Sequence, residues 1–178
     1  DVTRAALDVL TEVGFDVFSV EAVAARAGVA KTTIYRRFPT RADLVSAAVD
    51  RLNDDVRLPP EDWPTHDRLV AMLTWLRARK SDASSPDWRI SAAASTCRDP
   101  HVAELLQRRV FTPRREALRS AIAEGIAAGE LRADLDVDAA VAILVGSMFY
   151  LGFADQRGEN DIPTVDATVR CALAGLAT

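Results

Sequence analysis

Hydrophobic positions recur along this chain at helical spacing, and Gly, Pro and capping residues interrupt them at regular points. Ala6, Leu7, Leu10 and Val13 share one face of a first helix, with Gly14 placed to end it. Ser19 is a good N-cap and Glu21 sits in the first turn of a second helix, 20–27. Val20, Val23, Ala24 and Ala27 line one side of it, and Phe18 and Val23 have the spacing of a hydrophobic staple. Gly28 stops this helix, Val29 begins a tight turn, and a third helix follows over about 31–37. Phe38-Pro39 closes it, because a residue before proline avoids the helical region. Thr40 and Asp43 form a T-x-x-D cap for a fourth helix, about 41–52.

Beyond this run the pattern stays helical. The Pro-rich stretch RLPPEDWP at 57–64 reads as a connector. Leu69, Met72, Leu73 and Leu76 give the stripe of a helix at 65–79. Ser85-Pro86 starts a helix through about residue 96, and Asp99-Pro100 starts another. The latter is expected to be interrupted near Thr112-Pro113 and to run on to Ala128, capped by Gly129. An apolar helix spans about 136–155, a polar loop covers 156–161, and a last helix runs from Pro163 to about residue 176. No segment reads as a strand. The expectation is an all-α protein of about nine helices, with no internal repeat.

Composition narrows this picture little. With 49% hydrophobic and 27% charged residues, the chain has ordinary globular character and length enough for a real core. Cys97 and Cys171 stand apart and outside any CxxC pattern, which speaks against a zinc site and fits free thiols in a reducing cytoplasm. No signal peptide is legible. The chain opens without Met and already in helical register, so residues are expected before Asp1. The uncharged run 139–154 is short of the roughly 20 residues a membrane span needs, which favours a helix buried between neighbours and no membrane role.

Charge changes the picture more. The run RAGVAKTTIYRRFPTR at 26–41 carries Arg26, Lys31, Arg36, Arg37 and Arg41 and no acid, on a chain of net charge −4. A positive island on an acidic protein is the footprint of a polyanion site. It coincides with two short helices joined by a Gly-containing turn, the pattern of a helix-turn-helix. Ala24 is small where the helices would cross, Val29 and Ile34 would point inward, and Lys31, Thr32, Thr33, Tyr35, Arg36 and Arg37 would point outward.

These residues carry a resemblance. The stretch AALDVLTEVGFDVFSVEAVAARAGVAKTTIYRRFPTRADLV is similar to the DNA-binding domain of TetR/AcrR-type transcriptional regulators. Gly14, Phe15, Ser19-Val20, Ala27-Gly28-Val29, Ile34-Tyr35, Phe38 and Leu44 fall in the family's register. Two positions depart from it: Ala30 stands where a capping Ser is usual, and Thr32 where Gly is frequent. The resemblance implies a DNA-binding domain at 1–45 and a ligand-binding and dimerisation domain at 46–178, with helix 41–52 connecting them. It places Lys31, Thr32 and Thr33 in the major groove, where Thr methyls meet thymine methyls and Lys31 reaches guanine edges or phosphate. It places Tyr35, Arg36 and Arg41 on the phosphate backbone, with Ser19 and Arg26 as further contacts; Arg37 reaches DNA or pairs with a neighbouring acid.

The resemblance also implies a homodimer on a palindromic double-stranded DNA operator, since a lone helix-turn-helix binds weakly. Val141, Leu144, Val145, Met148, Leu151 and Gly152 of the apolar helix are the expected dimer interface. A small-molecule effector, apolar or aromatic, is expected in a pocket lined by Trp75, Trp88, Cys97, His101, Phe111, Met148, Phe149 and Tyr150. No cofactor, metal or catalytic residue is expected: two scattered His, two isolated Cys and no phosphate-binding loop offer no constellation for an enzyme. A helical protein-interaction module leaves the basic island unexplained. An activator, or a regulator without a ligand, shares every feature named so far.

Overall fold

The computed structural model describes residues 1–54, 56, 58–82, 85–87, 89–90, 100–159 and 161–174. Its helices are α1 (Val2–Val17), α2 (Val20–Ala27), α3 (Lys31–Arg37), α4 (Arg41–Asp50), α5 (Thr65–Ser81), α6 (Pro100–Leu106), α7 (Thr112–Ala127), α8 (Val137–Gln156) and α9 (Val165–Ala174). A 3-10 turn, Arg51–Asn53, follows α4, and a π turn, Gln107–Phe111, joins α6 to α7. No strand occurs among the described residues, so the all-α expectation holds.

Two compact units form, Asp1–Val56 with Pro86–Thr112, and Arg57–Ser85 with Pro113–Thr178. This packing division differs from the functional division expected at 45/46. Leu44, Val45, Ala48, Val49 and Leu52 bury one side of α4 and its 3-10 turn in the first core, where Ile90, Leu106 and Val110 join them.

In the first unit the local signals act as read. Gly14 has φ 75°, a left-handed value that breaks α1 and lets Phe15 tuck into the core. Gly28 has φ 67° and returns its N–H to the Ala24 carbonyl, ending α2. Thr40 and Asp43 complete a reciprocal capping box, Asp43 N–H to Thr40 Oγ1 at 3.1 Å and Thr40 N–H to Asp43 Oδ2 at 3.0 Å. Leu10, Val23, Ile34, Leu44 and Val49 are buried together.

In the second unit Leu69 and Leu73 of α5, Leu144 and Met148 of α8, and Val169 of α9 form the core. Pro64 gives α5 no side-chain cap, and the Glu130 carboxylate accepts the Thr65 N–H instead, at 2.7 Å. Arg77 donates to both oxygens of Asp155, 2.9 and 2.8 Å, tying α5 to α8.

Two boundaries differ from expectation. The α5 helix runs on to Ser81. The expected interruption near Thr112-Pro113 takes the form of the π turn just before it. Pro113 has no N–H for the Arg109 carbonyl, and Asn53 Nδ2 donates to that carbonyl at 2.7 Å. The apolar helix, Val137–Gln156, follows the 136–155 expected, and its 20 residues are enough by length and composition to cross a membrane. Its Ala140, Val141, Leu144, Met148 and Leu151 side chains are buried in the unit's own core, as in the core helix of a globular domain. The helix expected from 85 to 96 lies mostly outside the described residues; 86–87 and 89–90 are helical.

Candidate nucleic-acid interface

The turn between α2 and α3 fixes the interface. Val23 and Ala24 on α2 and Ile34 on α3 are buried, and Val29 packs against them. Ile34 is the one buried residue of α3. Lys31, Thr32, Thr33, Tyr35, Arg36 and Arg37 are all exposed, so one helix of seven residues offers six polar side chains on its free faces. Ala30 supplies no side-chain cap to this helix.

The basic residues are not equally free. Both guanidinium Nη atoms of Arg26 donate to the two oxygens of Glu12 on α1 at 2.6 Å. Lys31 Nζ donates to Glu21 Oε1 on α2 at 2.9 Å. These hydrogen bonds hold both carboxyls below their ordinary range and both cations above theirs. Arg41 Nε donates to the Phe18 carbonyl at 3.1 Å, one Nη donates to the Phe15 carbonyl, and the guanidinium lies 5.7 Å from the Phe18 ring centre. Arg37 has no acidic partner among the described residues and stays exposed, with its guanidinium 5.3 Å from the Phe38 ring centre. Ser19 caps α2, accepting the Ala22 N–H at 3.2 Å, which leaves its own hydroxyl proton to donate. Glu12 and Glu21, absent from the expected site, thus border the island and reduce its charge. The T-x-x-D and Ser caps were local in sequence; these two pairings depend on how the helices cross.

The expected effector lining is divided between the two units. Trp75, Met148, Phe149 and Tyr150 lie in the second unit, while His101 and Phe111 lie in the first; Trp88 and Cys97 fall outside the described residues. Trp75 is half-buried with the Arg79 and Arg114 guanidiniums each 4.9 Å from its ring. Met148 is core, Phe149 meets the Lys80 ammonium at 4.7 Å, and Tyr150 is 64% exposed. His101 instead borders an open groove of about 690 Å³ with Phe15, Arg41, Val45, Leu105 and Arg108.

The expected dimer residues need correction. Val141, Leu144, Met148, Leu151 and Gly152 are buried within their own protomer, and Val145 is half-buried against the same core. Gly152 meets α5: a Cβ there would lie 2.6 Å from Lys80 Cβ. The available apolar side of α8 carries Ile143, Gly146, Phe149, Tyr150 and Phe153, all exposed. An apolar helix with no polar face gives no periodic sign of which side is buried.

A family model described as bacterial regulatory proteins, tetR family, matches residues 2–48, and one described as tetracyclin repressor-like, C-terminal domain, matches 64–172. The chain is 32% identical over 155 residues to the HTH-type transcriptional regulator YdeS of Bacillus subtilis, covering 84% of this chain and 75% of that one. It is 31% identical over 135 residues to the DNA-binding transcriptional repressor TetR of Mycobacteroides abscessus, covering 74% and 69%. The fold matches the crystal structure of MexZ, a repressor of Pseudomonas aeruginosa, with TM-score 0.76 at 23% identity over 99% of this chain and 93% of that one. The outward-facing α3, the helix-turn-helix that supports it and the two matched segments together make this chain a member of the TetR family of transcriptional regulators.

Proposed function

We propose that two copies of this chain bind a palindromic double-stranded operator through α3, repress transcription there, and leave it when a small molecule binds. The observation that carries this reading is α3 itself, with Ile34 alone buried and six polar side chains directed away from the core. Lys31, Thr32 and Thr33 read base edges in the major groove. Tyr35, Arg36 and Arg37 meet phosphates, and the Ser19 hydroxyl donates to another. Arg41 keeps a second Nη for a phosphate while its other donors hold the Phe15 and Phe18 carbonyls, so it arrives already oriented. Arg26 contributes less, because the Glu12 carboxylate takes one N–H from each of its Nη atoms and offsets its charge.

The homodimer forms on the exposed side of α8, through Ile143, Gly146, Phe149, Tyr150 and Phe153, in place of the buried residues first expected. The effector is an apolar or aromatic small molecule held in the 64–172 region, with Trp75 as its first candidate contact. Effector binding displaces α4, and the two α3 helices then no longer match successive major grooves. The protein works in the cytoplasm, with no catalytic step. A panel of apolar and aromatic compounds, screened by thermal shift and then by operator release, tests this. A compound that raises the melting temperature should lower operator affinity while the dimer persists in sedimentation. A stabilising compound that leaves affinity unchanged contradicts the release mechanism.

A further inference from the structure

We propose that Glu21, on α2 and outside the set of DNA contacts, is a specificity-determining residue: it holds the Lys31 ammonium so that Lys31 reads bases rather than gripping phosphate. This inference rests on the DNA-binding reading of α3.

Lys31 is the first residue of α3. A lysine there is poorly placed for its own helix, because the uncapped N–H groups of the first turn are partially positive. The helix adds nothing to offset this: Ala30 provides no side-chain cap and the first turn has no acid. The missing negative charge comes from the neighbouring helix. Glu21 Oε1 stands 2.9 Å from Lys31 Nζ, in a pair whose side chains remain 54% and 62% exposed. The pair therefore lies on the exposed surface, beside the outward side chains of α3, rather than inside the fold.

An ammonium on a four-carbon stem is a mobile point charge, and near a duplex its default partner is phosphate. Phosphate contact adds affinity for every sequence alike. Tied to Glu21, the ammonium has less gain from phosphate and less freedom to seek it, and the Glu21 carboxylate opposes close approach of the backbone at that point. What remains is its reach to a base edge beside Thr32 and Thr33. Glu12 does not serve the same end, since the Arg26 it holds lies on α2 and not on α3. The ordinary upward shift of the Lys31 ammonium and downward shift of the Glu21 carboxyl agree with a formed pair.

The test uses the full chain, a duplex recovered with it from a random pool, and a scrambled duplex of equal length. Glu21→Gln should bind the scrambled duplex more tightly and steepen its salt dependence by about one unit of log–log slope, as one more phosphate contact requires. The ratio of specific to scrambled affinity should fall about fivefold or more. In a Lys31→Gln background the same substitution should leave that ratio unchanged, because repulsion between the carboxylate and DNA acts on both duplexes equally. An unchanged ratio and slope in Glu21→Gln, with wild-type protein still selecting a duplex, overturns the role of Glu21. A fall in the ratio that persists in the Lys31→Gln background overturns it too. Failure of wild-type protein to select any duplex overturns the DNA-binding reading instead.

Discussion

At the scale of single residues, Asp155 is the clearest link between charge and stability. Its carboxylate accepts two bonds from Arg77, with side chains only 24% and 19% exposed, and the guanidinium holds its pKa below the usual aspartate range. Because the folded value is the lowered one, the pair stabilises fully above about pH 4 and is lost as pH falls through the folded pKa. Asp155→Asn should cost about 2 kcal/mol at pH 7 in urea unfolding, and the gap to wild type should close at low pH. A gap independent of pH contradicts the pairing. On the DNA side, Thr32 substitutions should change which duplex is preferred, whereas Arg41→Ala should weaken all duplexes and flatten the salt slope. Filter-binding titrations at several salt concentrations separate the two outcomes.

Elements show why some features were legible and others not. Caps and stops are local chemistry: Ser19, Gly28 and the Thr40–Asp43 box each act within four residues of chain, so sequence spacing suffices to place α2, α3 and α4. The Glu21–Lys31 and Glu12–Arg26 pairs span 10 and 14 residues and depend on helix crossing, which periodicity does not specify. The apolar helix α8 was legible in existence and in its Asp136 cap, which accepts the Ala139 N–H. Its orientation was not, and the residues first assigned to a dimer face turned out to be its core side. Gly152 makes the same point physically. Its would-be Cβ lies 2.6 Å from Lys80 Cβ and 3.0 Å from the Lys80 carbonyl carbon, so a small residue is required by a neighbour within the protomer. Gly152→Ala should therefore destabilise by about 1–3 kcal/mol, measurable by thermal unfolding, while Gly146→Ala, with nothing within 4 Å, should leave the monomer fold unaffected. The Asn53 bond to the Arg109 carbonyl is the counterpart in the first unit; Asn53→Ala should cost about 1 kcal/mol in urea unfolding.

For the molecule as a whole, binding and assembly are one problem. In the proposed complex a single α3 contacts one half-site, and two copies are held about one helical turn or more apart to read a palindrome. The exposed side of α8 is the surface proposed to hold them, so its integrity should govern DNA affinity without touching DNA. Tyr150→Asp with Phe153→Asp should yield a folded monomer in sedimentation equilibrium that loses operator affinity. In the proposed mode, α3 reads DNA as one half of a symmetric pair. Selection of bound duplexes from a random pool by the wild-type protein tests it most directly. The expected result is enrichment of an inverted repeat whose half-site preference changes when Thr32 is substituted; enrichment of no sequence, or of one unaffected by substitutions across α3, would overturn this mode of binding.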